Sequence, residues 1–172
     1  DDIESVTVSA IPLKLSEAGS SISIITKEDI AARGMPSIQS LLREVAGFAV
    51  SQQGSQGAVT QLRARGAEAN QILVLINGVE ANDIAQGSEF DFSQLSTSDV
   101  ERIEIVRGPQ SALWGSDALA GVVHVITSGK EQEETTELKF ETGSFSTDRV
   151  SGISQRNIGN HWVRISGDYR ES

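Results

Sequence analysis

Residues 72–76 read Ile-Leu-Val-Leu-Ile and run straight into Asn77-Gly78. A strand with one wet face alternates apolar and polar side chains, so a run with no polar position has to be covered on both faces. Asn-Gly at its end is the strongest short hairpin signal, because both residues tolerate the positive φ of a tight β-turn. The fold therefore needs two apolar layers around this strand. The sequence also holds sixteen glycines against five Phe, two Trp and one Tyr, which points to short elements joined by many turns.

Candidates for those layers lie on both sides of the run. Residues 22–26 read as a strand, and Thr26 is placed to cap a short helix over residues 27–33 that Gly34 stops. Pro36 and Ser37 open a second short helix through about residue 43, with Ile38, Leu41, Leu42 and Val45 on one face at the helical period. Residues 48–51 are extended and lead into Gln52-Gln53-Gly54-Ser55-Gln56-Gly57, a surface loop of small polar residues. Residues 59–65 and 71–76 are the next strands. Residues 80–92 form a polar loop long enough to suggest recognition, with one helical turn expected at 93–95. A strand over 100–106, a Gly108-Pro109 turn into a short helix, and a buried strand over 121–127 complete a first domain.

Beyond the acidic residues 131–134 the pattern changes to three long strands, 135–143, 148–157 and 161–170, with short turns. Leu138, Phe140 and Thr142 share one face opposite Glu137, Lys139 and Glu141, and Val163, Ile165 and Tyr169 oppose Arg164, Ser166, Asp168 and Arg170. Two architectures present such a pattern. One is a half-buried antiparallel meander; the other is a set of outer-membrane barrel strands, which need about 9 to 11 residues each.

Several function classes are disfavoured. A net charge of −10 and the lack of any basic stripe argue against nucleic acid. No cysteine is present, so neither disulfides nor thiolate metal sites are available, and no metal site or cofactor is expected. The turn Gly108–Gly115 fails as a phosphate loop, because Ser116 and Asp117 stand where Lys and a magnesium-binding hydroxyl belong. His124 sits in an apolar strand, where a hydrogen-bonded core histidine is the ordinary reading, and His161 begins a strand; neither has a nucleophile at a telling spacing, so an enzyme is not expected. Asp1 and Asp2 lack the basic and apolar regions of a signal peptide, which suits a mature exported form. Arg63, Arg65, Arg102 and Arg107 lie in or beside strands with apolar neighbours, where a guanidinium is either exposed or paired with carboxylates.

Three segments in order complete a signature: Leu62-Arg63-Ala64-Arg65-Gly66, Leu73-Val74-Leu75-Ile76-Asn77-Gly78-Val79, and the stretch from Val100-Glu101-Arg102-Ile103-Glu104 through Arg107-Gly108-Pro109-Gln110-Ser111-Ala112-Leu113-Trp114-Gly115-Ser116. Together they resemble the plug motifs of TonB-dependent outer-membrane receptors. The match continues through Asp117 to Thr127, residues 135–170 look like the family's first barrel strands, and loop lengths most resemble the cobalamin and haem receptor branch. Asn77 stands for a usual Asp, Trp114 for Tyr, Ala120 for Gly and His124 for Asn.

The resemblance implies an α+β fold: a small mixed-sheet plug with short helices, then antiparallel strands of an incomplete transmembrane β-barrel. It divides the chain into a flexible N-terminus (1–20) with a Ton box, a plug (21–130) and the first three barrel strands (131–172). Three strands cannot seal a lumen, so a longer natural chain is expected. The implied role is the gate of an importer for a scarce nutrient such as a siderophore, haem or cobalamin, with a barrel of about 22 strands in the Gram-negative outer membrane. Glu4, Ser5, Val6, Thr7, Val8, Ser9 and Ala10 resemble the Ton box, which would pair with TonB in the periplasm as an added strand. Gln53, Gln56, Ala58, Val59, Gln86, Gly87 and Ser88 would face the ligand, and Arg65, Arg102 and Arg107 would latch the plug to barrel-wall carboxylates. The competing expectation is a stand-alone periplasmic α/β binding domain with a C-terminal β-meander.

Overall fold

The computed structural model describes residues 5–6, 13–14, 21–35, 37–55, 57–127, 134–144, 147–159 and 161–171. The chain divides into two compact units, residues 1–127 and 128–172. In the first, two-residue strands β1 (Ser5–Val6) and β2 (Leu13–Lys14) pair antiparallel. Strand β3 (Ser21–Thr26) passes directly into helix α1 (Lys27–Arg33). Local chemistry sets both ends of that helix: the Thr26 hydroxyl accepts from the Asp29 amide while the Asp29 carboxylate accepts from the Thr26 amide, and the Gly34 amide donates to Ile30 and Ala31 carbonyls. Helix α2 (Ile38–Arg43) follows, then a hairpin of β4 (Phe48–Gln52) and β5 (Thr60–Ala64).

The apolar run becomes strand β6 (Ile72–Ile76), which turns through Asn77-Gly78 into the two-residue strand β7 (Val79–Glu80). Asn77 and Gly78 have φ of 50° and 82°, the positive pair that a type I′ hairpin turn requires. Strand β8 (Arg102–Arg107), the one-turn helix α3 (Ser111–Trp114) and strand β9 (Gly121–Ile126) complete the unit. The main sheet has the order β3-β8-β9-β6-β7 and is mixed, because β6 and β9 run parallel while the other neighbours are antiparallel. Only glycine suits position 121, where an added Cβ would lie 2.5 Å from the Val106 carbonyl oxygen.

Both faces of β6 are covered. Ile72 and Val74 join Ile25, Ile103, Ile105, Val123 and Val125 in a layer with Ile30 of α1 and Ile38, Leu41 and Leu42 of α2. Leu73 and Leu75 join Val106, Ala118 and Val122 on the opposite side, flanked by Ile22, Ile24 and Trp114. Each such side chain taken out of water contributes about 1.5–3 kcal/mol.

The second unit is a three-stranded antiparallel sheet of β10 (Thr135–Gly143), β11 (Thr147–Ile158) and β12 (His161–Glu171). Its apolar face is exposed at Leu138, Phe140, Val150, Ile165 and Tyr169. On the other face Arg149, Ser151 and Gln155 of the central strand are buried. Arg149 bridges its two neighbours there, with Nη1 3.2 Å from Glu141 of β10 and Nε 2.7 Å from Asp168 of β12.

Candidate functional site

Two connections of the first unit are drawn together side by side: the β4–β5 loop and the segment between β7 and β8. Asp91 is the tie. Its Oδ1 accepts from the Thr60 amide at 2.8 Å and the Ser93 amide at 2.9 Å, and its Oδ2 accepts from the Ser93 hydroxyl at 2.9 Å. Burial works to raise the Asp91 pKa, but the donors from Thr60 and Ser93 outweigh it and hold the carboxyl below the ordinary aspartate range. A second bond between the Gln61 and Glu89 side chains adds to the junction.

Asn82 anchors the longer loop to the sheet. Its Oδ1 accepts from the Val74 amide at 2.7 Å, and its Nδ2 donates to the Ile72 carbonyl at 3.0 Å and the Ser88 carbonyl at 2.8 Å. Strand β7 ends after two residues, and the Asn82 amide group takes over its role along the β6 edge. Beyond Asn82, Asp83 caps a single turn of 3-10 helix, Ile84–Gln86, by accepting from the Ala85 amide and from Gln86 Nε2. Gly87 and Ser88 then reverse the chain at φ of 73° and 60°. This leaves Ile84 at the tip, 86% exposed, in a loop whose base is fixed by hydrogen bonds.

A family model described as TonB-dependent Receptor Plug Domain matches residues 14–122. The chain belongs to this family. It is 32% identical over its whole length to the vitamin B12 transporter BtuB of Vibrio vulnificus, and 34% identical over 90% of its length to that of Vibrio cholerae. It spans about a quarter of the length of these relatives, 28% and 25%. Among solved structures it resembles the ferripyoverdine receptor of the outer membrane of Pseudomonas aeruginosa, with a TM-score of 0.80 and 19% identity over 96% of this chain and 22% of that one. The alcaligin receptor FauA of Bordetella pertussis gives 0.78 and 19%, covering 97% and 29%. At these identities the likeness is one of fold: a plug followed by antiparallel barrel strands, with no closed barrel within this length.

Within the plug, the residues expected to meet ligand fall on the two joined loops. Gln53, Gln86 and Gly87 are exposed, Val59 is 43% exposed, Ala58 and Ser88 are half-buried, and Gln56 lies outside the described residues. Of the Ton-box stretch, Ser5 and Val6 form β1, while Glu4, Thr7, Val8, Ser9 and Ala10 lie outside the described residues. The three latch arginines have different settings. Arg65 is exposed, has a φ of 50°, and makes no ion pair among the described residues. Arg102 is bound through Nε to Glu104 at 2.9 Å. Arg107 donates from Nη1 to the Ala46 carbonyl and from Nη2 to the Ser23 hydroxyl. Sequence reasoning places Asn82, Ile84 and Asp91 in the recognition loop at 80–92 without singling them out. Asp91-Phe92-Ser93 does carry an Asx-turn signal; Asn82 carries none, because its partners on β6 are eight and ten residues away.

Proposed function

We propose that this chain is the gate of an outer-membrane importer energised by TonB, and that its nutrient is a cobalamin. The observation that carries the reading is a plug whose two loops are tied together at their base, one of them with an exposed Ile84 at its tip, on a chain about one-third identical to vitamin B12 transporters. Ile84 and Val59 offer apolar contact, and Gln53 and Gln86 offer amide donors and acceptors, a combination suited to a large amphipathic ligand. The division into an N-terminal segment (1–20), a plug (21–130) and barrel strands (131–172) belongs to the same proposal. So does placement in the Gram-negative outer membrane, where the exposed apolar face of β10–β12 would meet lipid.

Residues 4–10 serve in this reading as the segment that TonB pairs with as an added strand. Arg65 is the arginine best placed to reach a carboxylate elsewhere in the natural chain; Arg102 and Arg107 already hold partners inside the plug. The test uses the full natural chain in a Gram-negative host that lacks its own cobalamin receptor. Labelled cyanocobalamin should bind at the cell surface and accumulate inside. Val6→Pro, which removes a backbone donor from the added strand, should abolish accumulation and leave surface binding intact. Normal uptake by that variant overturns the TonB assignment; absence of cyanocobalamin binding, with binding of a ferric siderophore, overturns the choice of nutrient.

A further inference from the structure

Glu104 is fully buried in β8, directly opposite His124 of β9. A carboxylate without water needs charged or hydrogen-bonding partners. One is Arg102, whose Nε donates to Oε1 at 2.9 Å; on the other side, Oε2 lies 3.8 Å from Nδ1 of His124. The imidazole, itself 5% exposed, accepts through Nε2 from the Gly78 amide at 2.9 Å. A nitrogen that accepts from an N–H carries no proton, so a neutral imidazole holds its proton on Nδ1, the nitrogen 3.8 Å from the Glu104 carboxyl.

Gly78 belongs to the turn that also holds the end of the first unit. The Asn77 amide donates to the Val125 carbonyl at 3.0 Å, the Asn77 Oδ1 accepts from the Thr127 amide at 2.9 Å, and its Nδ2 donates to the Thr127 hydroxyl at 2.8 Å. Thr127 is the last residue of that unit. The turn thus grips the C-terminal end of β9, and His124 grips the turn.

We propose that Glu104 and His124 form a positioning relay, in which the nearby carboxylate favours the Nδ1–H tautomer electrostatically and the unprotonated Nε2 clasps the Asn77-Gly78 turn, so fixing the point at which the chain leaves the first unit. Neither residue is a catalytic residue; both act through the turn. This goes beyond the transport reading and does not depend on it, since the contacts lie wholly within the first unit. If that reading also holds, the relay secures the exit of the plug while its opposite end is pulled.

Hydrogen exchange in the full natural chain tests the relay. His124→Leu should speed exchange of the Gly78 amide about fivefold, as expected for loss of one part-buried hydrogen bond. His124→Gln, which keeps an acceptor, should restore most of the protection, and Glu104→Gln should give an intermediate rate. Exchange in the β4–β5 hairpin should stay unchanged in all three. Nitrogen-15 spectra should show a protonated Nδ1 and a bare Nε2 at His124. The opposite tautomer, an unchanged Gly78 rate in His124→Leu, or an equal rise in the β4–β5 hairpin each overturns the proposal. Cobalamin uptake is a separate readout, so its failure leaves the relay untouched.

Discussion

In the five-stranded sheet Leu73 and Leu75 are 1% exposed, whereas in the three-stranded sheet Leu138, Phe140 and Ile165 are 63%, 69% and 69% exposed. The same pleat, with side chains alternating every residue, serves opposite ends in the two units. The first hides apolar side chains on both faces and pairs its buried Glu104 with the half-buried Arg102. The second buries polar side chains of its central strand, with Arg149 between Glu141 and Asp168, and leaves its apolar face exposed. Burial of apolar surface in water explains the first; the second is suited to a solvent that is itself apolar.

The contrast can be broken at its strongest point by truncation. Leu75→Ala should cost about 2–5 kcal/mol in chemical denaturation, and Ile165→Ala less than about 0.5 kcal/mol. Equal costs would erase the distinction. A charge sharpens it further: in the full natural chain in lipid, Phe140→Arg should destabilise by about 2–4 kcal/mol, against almost nothing if that face meets water.

A smaller effect is expected on the polar side. Arg149→Met leaves Asp168 and Glu141 without their cation, but Glu141 is 53% exposed and remains hydrated. The loss should therefore stay near 1–2 kcal/mol, well below that of a fully buried pair, and a Glu141→Gln/Arg149→Met double variant should recover part of it. Smallest is the response at Asp91. Its carboxyl is held below its ordinary range in the folded chain, so the stabilisation is complete above the unfolded value of about 3.9 and fades as pH falls through the folded value. The stability difference between wild type and Asp91→Asn should be flat above about pH 5 and shrink below about pH 4. A difference that grows on acidification contradicts the hydrogen-bond account.

What could be read without coordinates was local. Thr26 and Gly34 set the ends of α1 at residues 27 and 33, because caps act within three or four positions. Asn77-Gly78 set its turn, and the strict alternation of residues 135–143 set β10. The apolar pattern predicts a strand from residue 100, two residues before β8 begins, because Val100 is buried against the core without belonging to the ladder that begins at Arg102. Among the loops, the helical turn expected at 93–95 is a 3-10 turn at Phe92–Gln94, since the Asp91 cap starts it one residue sooner.

The sequence by itself determined the short elements, the two apolar layers around residues 72–76, the change of pattern after residue 134, and the family. Each of these is written in neighbouring residues or in a contiguous motif, where backbone preference and side-chain spacing act directly. Only the tertiary structure decided the order β3-β8-β9-β6-β7, the parallel pairing of β6 with β9, the tie from Asp91 to Thr60, and the meeting of Glu104 with His124. Most of those contacts join residues 20 or more positions apart, up to Ser21 with Arg107, and no local preference chooses among possible pairings; the choice is made by which arrangement buries the apolar faces and satisfies the buried polar groups together.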